Sequence, residues 1–100
     1  METVIFQYET RPDAADDNQR LVEHVFAQLA AADPGGLRYA SFRLADGVTF
    51  VHVAVFEGEN NPLPGTAAFQ EFQFAIGDRC VQPPARAAAT VVGTYRFGLE

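Results

Sequence analysis

The sequence predicts an α+β fold: a four-stranded antiparallel sheet carrying two helices, in the order βαββαβ. Three observations lead there. The stretch Arg38 to Phe56 (RYASFRLADGVTFVHVAVF) sets two runs of β-branched and aromatic residues on either side of Asp46-Gly47, a pair suited to a tight hairpin turn. Two further stretches, after Asp13 and after Thr66, place their apolar residues at helical spacing. Thr3 to Thr10 and Ala87 to Phe97 supply the first and last strands.

In the first strand Val4, Phe6 and Tyr8 share one face, and Ile5, Gln7 and Glu9 the other. Arg11-Pro12-Asp13 ends it. Asp13 is the expected N-cap of the first helix, with Asp16 and Asp17 complementing the positive end of its dipole. Leu21, Val22, Val25, Phe26 and Leu29 form a buried stripe, while Gln19, Arg20, Glu23 and Gln28 face outward. Asp33-Pro34-Gly35-Gly36 stops the helix after about Ala32.

A two-residue type I′ loop at Asp46-Gly47 sets Ala45 opposite Val48, Arg43 opposite Phe50, Ser41 opposite His52 and Tyr39 opposite Ala54. Alternation then separates two faces. Ala40, Phe42, Leu44, Thr49, Val51, Val53 and Val55 make a nearly apolar face, expected to lie under the helices. Tyr39, Ser41, Arg43, Phe50, His52, Ala54 and Phe56 make a mixed aromatic and polar face, and neither face carries the charge of a solvated one. Glu57 to Gly65 is a turn-rich loop. Thr66 caps a second helix from Ala67 to Arg79, with Ala68, Phe69, Phe72 and Ile76 buried and Phe74 off that stripe. Gln82-Pro83-Pro84 excludes further helix, and the last strand contains Val91, Val92, Tyr95 and Phe97.

One hundred residues make one domain spanning 1–100, and Leu99-Glu100 has the look of a cloning-derived tail. A net charge of −6 with only seven Lys and Arg argues against nucleic acid and anionic membranes as partners. No apolar run reaches the roughly 20 residues of a membrane span, and the N-terminus lacks a signal-peptide pattern, so a cytoplasmic location is expected. Cys80 stands alone, without a disulfide partner in the chain.

With right-handed crossovers, βαββαβ gives a ferredoxin-like sheet with both helices on one face. The other face would be a large exposed apolar patch in a monomer, and a two-fold dimer closing the sheets into a barrel removes it. Four stretches, TVIFQYET, LRYASFRLADGVTFVHVAVFEG, TAAFQEFQFAI and VVGTYRFG, carry a resemblance to the dimeric α+β barrel superfamily, and within it to antibiotic biosynthesis monooxygenase domains. The resemblance implies a homodimer and a cavity beside the sheet for small aromatic or polyketide substrates. Its members include cofactor-independent oxygenases and haem-degrading proteins. The Asn-Trp-His set common among them is incomplete, because the chain has no Trp and its asparagines are Asn18, Asn60 and Asn61.

His52, mid-strand on the mixed face, is the candidate proton carrier, and Arg43 the candidate clamp for an anionic substrate or intermediate. Each has a structural alternative: His52 hydrogen-bonded at an interface, and Arg43 ion-paired to Glu9 or Glu57. Tyr39, Ser41, Phe50, Phe74, Tyr95 and Gln7 are the candidate ligand contacts. His24 and His52 lack acidic partners at ligand spacing, so no metal site is expected. A helix C-terminus beside Cys80 works against a reactive thiol, and no Gly-rich phosphate loop precedes a helix. Two functions stand open. One is a cofactor-free oxygenase, isomerase or cyclase acting on a small aromatic compound. The other is a non-catalytic dimer that binds a small hydrophobic molecule or simply assembles, with the loop Glu57 to Gly65 as its contact surface.

Overall fold

A computed structural model of the chain describes residues 2–57 and 61–97. Residues 58–60 of the expected contact loop and the tail at 98–100 lie outside the described residues. Four strands, β1 (Glu2–Glu9), β2 (Leu37–Arg43), β3 (Thr49–Phe56) and β4 (Ala85–Ala89), form one sheet in the order β2-β3-β1-β4. Every neighbouring pair is antiparallel. Three helices, α1 (Ala15–Ala32), α2 (Ala67–Gln73) and α3 (Ile76–Arg79), complete the βαββαβ order, the second helical segment being split in two. This is the ferredoxin-like α+β arrangement that the sequence predicts.

The hairpin register is the expected one: Ser41 opposes His52, Arg43 opposes Phe50 and Tyr39 opposes Ala54. The turn is different. Leu44 N–H bonds to Thr49 O at 2.8 Å, so Ala45 to Val48 form a longer loop. Gly47 takes a φ of +79°, but Asp46 is not among the described residues with positive φ, which excludes a type I′ turn. The Asp46 carboxylate instead accepts from Val48 N–H and Thr49 N–H at 2.9 Å each and from Thr49 Oγ1 at 2.5 Å. These bonds hold its pKa below the ordinary carboxylate value. Lengthening the loop by one residue at each end preserves the register, and the pairing of Ala45 with Val48 is lost to the loop.

The larger correction concerns the faces. The helices cover the mixed face, not the valine face. Phe26 of α1 stacks on Tyr39 at 4.9 Å, and Phe72 of α2 packs 5.3 Å from the His52 ring and 6.1 Å from Tyr8. Tyr8, Phe50, His52, Ala54 and Phe56 are consequently buried, with Val22, Val25 and Phe72 above them. Long aromatic rings bridge the space between a flat sheet and rounded helices, and their polar tips meet polar groups that the helices supply. Val51, Val53, Val55, Ile5 and Ala40 form the opposite face, where they are only half-buried and Phe42 is 45% exposed.

Helix boundaries follow local chemistry. Pro12–Ala14 forms a 3-10 turn in which Asp13 pairs with Arg11 at 3.1 Å, so Asp13 does not cap α1. At the other end Asp33 is left-handed and donates its N–H to Leu29 O at 2.7 Å. Gln28 does not face solvent freely: its Oε1 accepts from Ala68 N–H at 2.6 Å and ties α1 to α2. Thr66 caps α2 as expected, accepting from Phe69 N–H at 3.3 Å. The predicted continuous helix breaks at Phe74-Ala75, where Ala75 takes a φ of +59°. The carbonyls released there are taken up by Arg79, which donates to Phe72 O at 2.6 Å and Phe74 O at 3.2 Å.

β4 is shorter and earlier than the sequence predicts. Its last ladder pair is Thr3 with Ala89, and among the described residues the segment beyond pairs with no strand. Val92 and Tyr95 are therefore 99% and 82% exposed rather than parts of the sheet. Gly47 offers a direct check on the hairpin. Gly47→Ala forces an L-residue into the left-handed region and should lower stability by about 1 kcal/mol in urea unfolding. Gly35→Ala, with open space at its Cβ position and no positive φ, should be close to neutral.

Candidate functional site

All four strands contribute to a cavity of about 140 Å³ on the helix-covered face of the sheet. Val4 and Phe6 come from β1, Tyr39 from β2, His52 and Ala54 from β3 and Arg86 from β4. Phe69 and Gln73 of α2, with Asn61, Leu63 and Pro64, close the other side. The wall is mostly apolar, with a few polar groups converging on it, the usual constitution of a small-molecule site.

His52 is 3% exposed, and both its ring nitrogens are engaged. Tyr8 Oη lies 2.8 Å from Nε2 and Tyr39 Oη 2.5 Å from Nδ1, while Ser41 Oγ makes a longer 3.4 Å contact to Nε2. Behind Tyr8, the Asn18 amide donates to the phenol oxygen at 2.8 Å. Asn18 Oδ1 accepts in turn from Arg79 Nε at 3.0 Å. Arg79 is anchored by the Phe72 and Phe74 carbonyls and lies 5.5 Å over the Phe72 ring. Among the described residues no buried side-chain nitrogen or oxygen lacks a partner.

Burial sets the electrostatics. It lowers the His52 pKa from 6.5 to about 4, leaving a neutral imidazole at physiological pH. It pushes the Tyr8 and Tyr39 hydroxyls well above the ordinary phenol value, against the pull of Asn18 and Arg79 on Tyr8, so both stay protonated. Burial also lowers the Arg79 pKa, which Tyr8 and Cys80 partly restore. The Cys80 thiol is raised, chiefly by burial and against the opposing pull of Arg79.

Of the residues singled out in the sequence, Tyr39 and His52 reach the cavity. Ser41 touches His52 from the side, and Phe50 lies beneath the site, stacked on Tyr8 at 5.5 Å. Arg43 stands elsewhere. It donates to Gly47 O at 2.8 Å, to Asp16 Oδ1 at 3.1 Å and to Gln19 Oε1 at 2.7 Å, pinning the hairpin to α1. The ion pair expected with Glu9 or Glu57 forms with Asp16 instead. Gln7 is exposed on the valine face, and Phe74 and Tyr95 are 80% and 82% exposed. Sequence reasoning missed Tyr8, Asn18, Arg79 and Arg86. Asn18 was detectable: it sits four residues before Val22 and continues the buried stripe of α1, where an amide needs a partner.

No protein-family model matches this sequence, and comparison with curated proteins also finds no match. Solved structures do match. A crystal structure of an antibiotic biosynthesis monooxygenase superposes with a TM-score of 0.75 at 21% identity, over 93% of this chain and 100% of that one. The chain has the antibiotic biosynthesis monooxygenase fold. Rv0793 from Mycobacterium tuberculosis shares it, at a TM-score of 0.73 and 19% identity over 93% of this chain and 96% of that one. So does a variant of SnoaB, a cofactor-independent oxygenase from Streptomyces nogalater, at 0.68 and 16% identity over 95% and 96%.

The depressed pKa of His52 has a consequence for stability. The unfolded chain protonates this imidazole near 6.5 and the folded chain only near 4. The stability gained by keeping it neutral is fully present above 6.5 and is lost as pH falls through that window. Between pH 7 and 5 the wild type should lose about 2 kcal/mol through this group alone. Urea titrations of His52→Gln should show that pH dependence largely abolished, whereas His24→Gln should retain it.

Proposed function

We propose that the protein binds a small hydroxylated aromatic compound in this cavity and acts on it as an oxygenase that needs no cofactor. The observation that carries the reading is a buried imidazole held between two tyrosine hydroxyls in the wall of a mostly apolar cavity. Phe6, Leu63 and Phe69 supply surface for a flat ring. Tyr39 and Arg86 offer a hydroxyl and a cation to its oxygen, and charge-assisted bonds of this kind favour the ionised, electron-rich form of a phenol. That form is the one able to react directly with dioxygen. The fold shared with a cofactor-independent oxygenase supports the assignment.

On this reading His52 orients and polarises Tyr39, a role its low proton affinity suits better than removal of a proton from substrate. Arg43 keeps the hairpin in place. The runner-up, a binding module without turnover, shares the cavity and differs in the outcome of one assay. Dioxygen uptake by the purified protein with a panel of dihydroxylated aromatic compounds should be saturable. Tyr39→Phe should cut the rate roughly a hundredfold while retaining the fold. Saturable binding without uptake anywhere in the panel would decide for the module.

The protein is further proposed to work as a homodimer closed through its valine face. Ile5, Val51, Val53 and Val55, with the neighbouring Phe42, make a contiguous apolar surface that the helices leave uncovered. The exposed segment with Val91, Val92, Tyr95 and Phe97 adds further apolar area. Sedimentation velocity should show a dimer for the wild type and a monomer for Val53→Lys, which places a charge at the centre of that face. A monomeric wild type at micromolar concentration would exclude this assembly.

A further inference from the structure

We propose that Arg79 and Asn18 lock His52 as its Nδ1–H tautomer, so that Tyr39 aims its hydroxyl hydrogen into the cavity and the site selects ligands presenting an oxyanion or carbonyl oxygen there. The proposal deepens the cavity reading above and rests on it. The argument is one of donors and acceptors. A guanidinium only donates, so the bond from Arg79 Nε fixes the Asn18 oxygen toward it and the Asn18 amide nitrogen toward Tyr8. The Tyr8 oxygen accepts that bond. Among the described residues its own hydrogen has one acceptor within reach, His52 Nε2 at 2.8 Å. Were Nε2 to carry the proton instead, the Tyr8 hydrogen would be buried without a partner, at a cost that buried polar groups seldom bear.

With Nε2 accepting, a neutral imidazole must carry its proton on Nδ1. That proton is donated to the Tyr39 oxygen, 2.5 Å away. The Tyr39 hydrogen is then the end of a directed chain running Arg79, Asn18, Tyr8, His52, Tyr39, and it points away from His52 in a residue that lines the cavity. Arg86 lines the same cavity and also only donates. A ligand oxygen that accepts is matched by both Tyr39 and Arg86, whereas a group that can only donate is matched by neither and finds acceptors only in the amides of Asn61 and Gln73 across the cavity. Asn18 and Arg79 touch no ligand themselves, so both are positioning residues.

The isosteric change Asn18→Asp separates this role from simple packing. An aspartate keeps the contact to Arg79 as an ion pair but must accept from Tyr8. The chain then reverses: Tyr8 receives the proton of Nε2, and Tyr39 donates to Nδ1. Nitrogen-15 spectra of histidine-labelled, ligand-free protein, assigned with His24→Gln, read the tautomer directly. The wild type should show a protonated Nδ1 and a bare Nε2, and Asn18→Asp the opposite. A wild type protonated on Nε2 overturns the proposal even if the variant fails to fold, and an unchanged tautomer in a folded variant overturns the role of Asn18.

Calorimetric titration with 4-nitrophenolate tests the selectivity. Asn18→Asp and Tyr39→Phe should each weaken binding about tenfold, the loss expected for one charge-assisted hydrogen bond. The double variant should be no weaker than Tyr39→Phe alone. A further loss in the double variant would mean that the added carboxylate merely repels the anion, and overturns the selectivity claim. No binding to the wild type, with the tautomer pattern intact, overturns the ligand reading of the cavity and the selectivity built on it, while leaving the tautomer lock standing.

Discussion

A histidine sealed beneath two helices is the constraint around which this fold is arranged. An imidazole buried to this degree is tolerated when neutral and when both nitrogens have partners, and an unmet polar group there costs about 1–3 kcal/mol. Its partners come from both neighbouring strands, Tyr8 on one and Tyr39 and Ser41 on the other, and Asn18 and Arg79 of the helical layer continue the chain behind Tyr8. Meeting that requirement explains why the helices cover the aromatic face. It also explains the break after α2. Ala75 accepts a left-handed conformation that costs about 1 kcal/mol, and the freed carbonyls hold the guanidinium where it can reach Asn18.

The order of elements, the antiparallel sheet and the hairpin register were legible because each depends on nearest neighbours. A period of two, a period of 3.6 and an Asp-Gly pair are local signals. The identity of the buried face was not legible, because both faces of β3 are apolar enough to be buried and hydrophobicity alone does not rank them. What distinguishes them is hydrogen bonding: the mixed face carries Tyr8 and Arg43, which take partners from α1, Asn18 for Tyr8 and Asp16 and Gln19 for Arg43. The end of β4 escaped for a related reason. Val91, Val92 and Tyr95 have strand propensity, but a strand needs a partner, and among the described residues they have none.

Site residues divide along the same line. His52 and Tyr39 stood out because they are unusual on a strand that is otherwise apolar. Arg43 stood out for the same reason, yet it lies toward the turn, where a long side chain reaches Asp16 and Gln19 on the first turns of α1. Arg79 and Arg86 carry no such contrast in the sequence, and each acquires its role only when the second helical segment and β4 return to the sheet. The cavity belongs to the assembled layers: every strand gives it at least one side chain.

The hydrogen-bonded chain spans long stretches of sequence, 44 residues between Tyr8 and His52 and 61 between Asn18 and Arg79. Closing such loops has an entropic cost that is met only after the hairpin and helices have already docked. The chain from Arg79 to His52 is therefore expected to consolidate late, so that weakening it should speed unfolding more than it slows folding. On that expectation whatever orders this network, whether a cavity occupant or the break after α2, should lengthen the lifetime of the folded state.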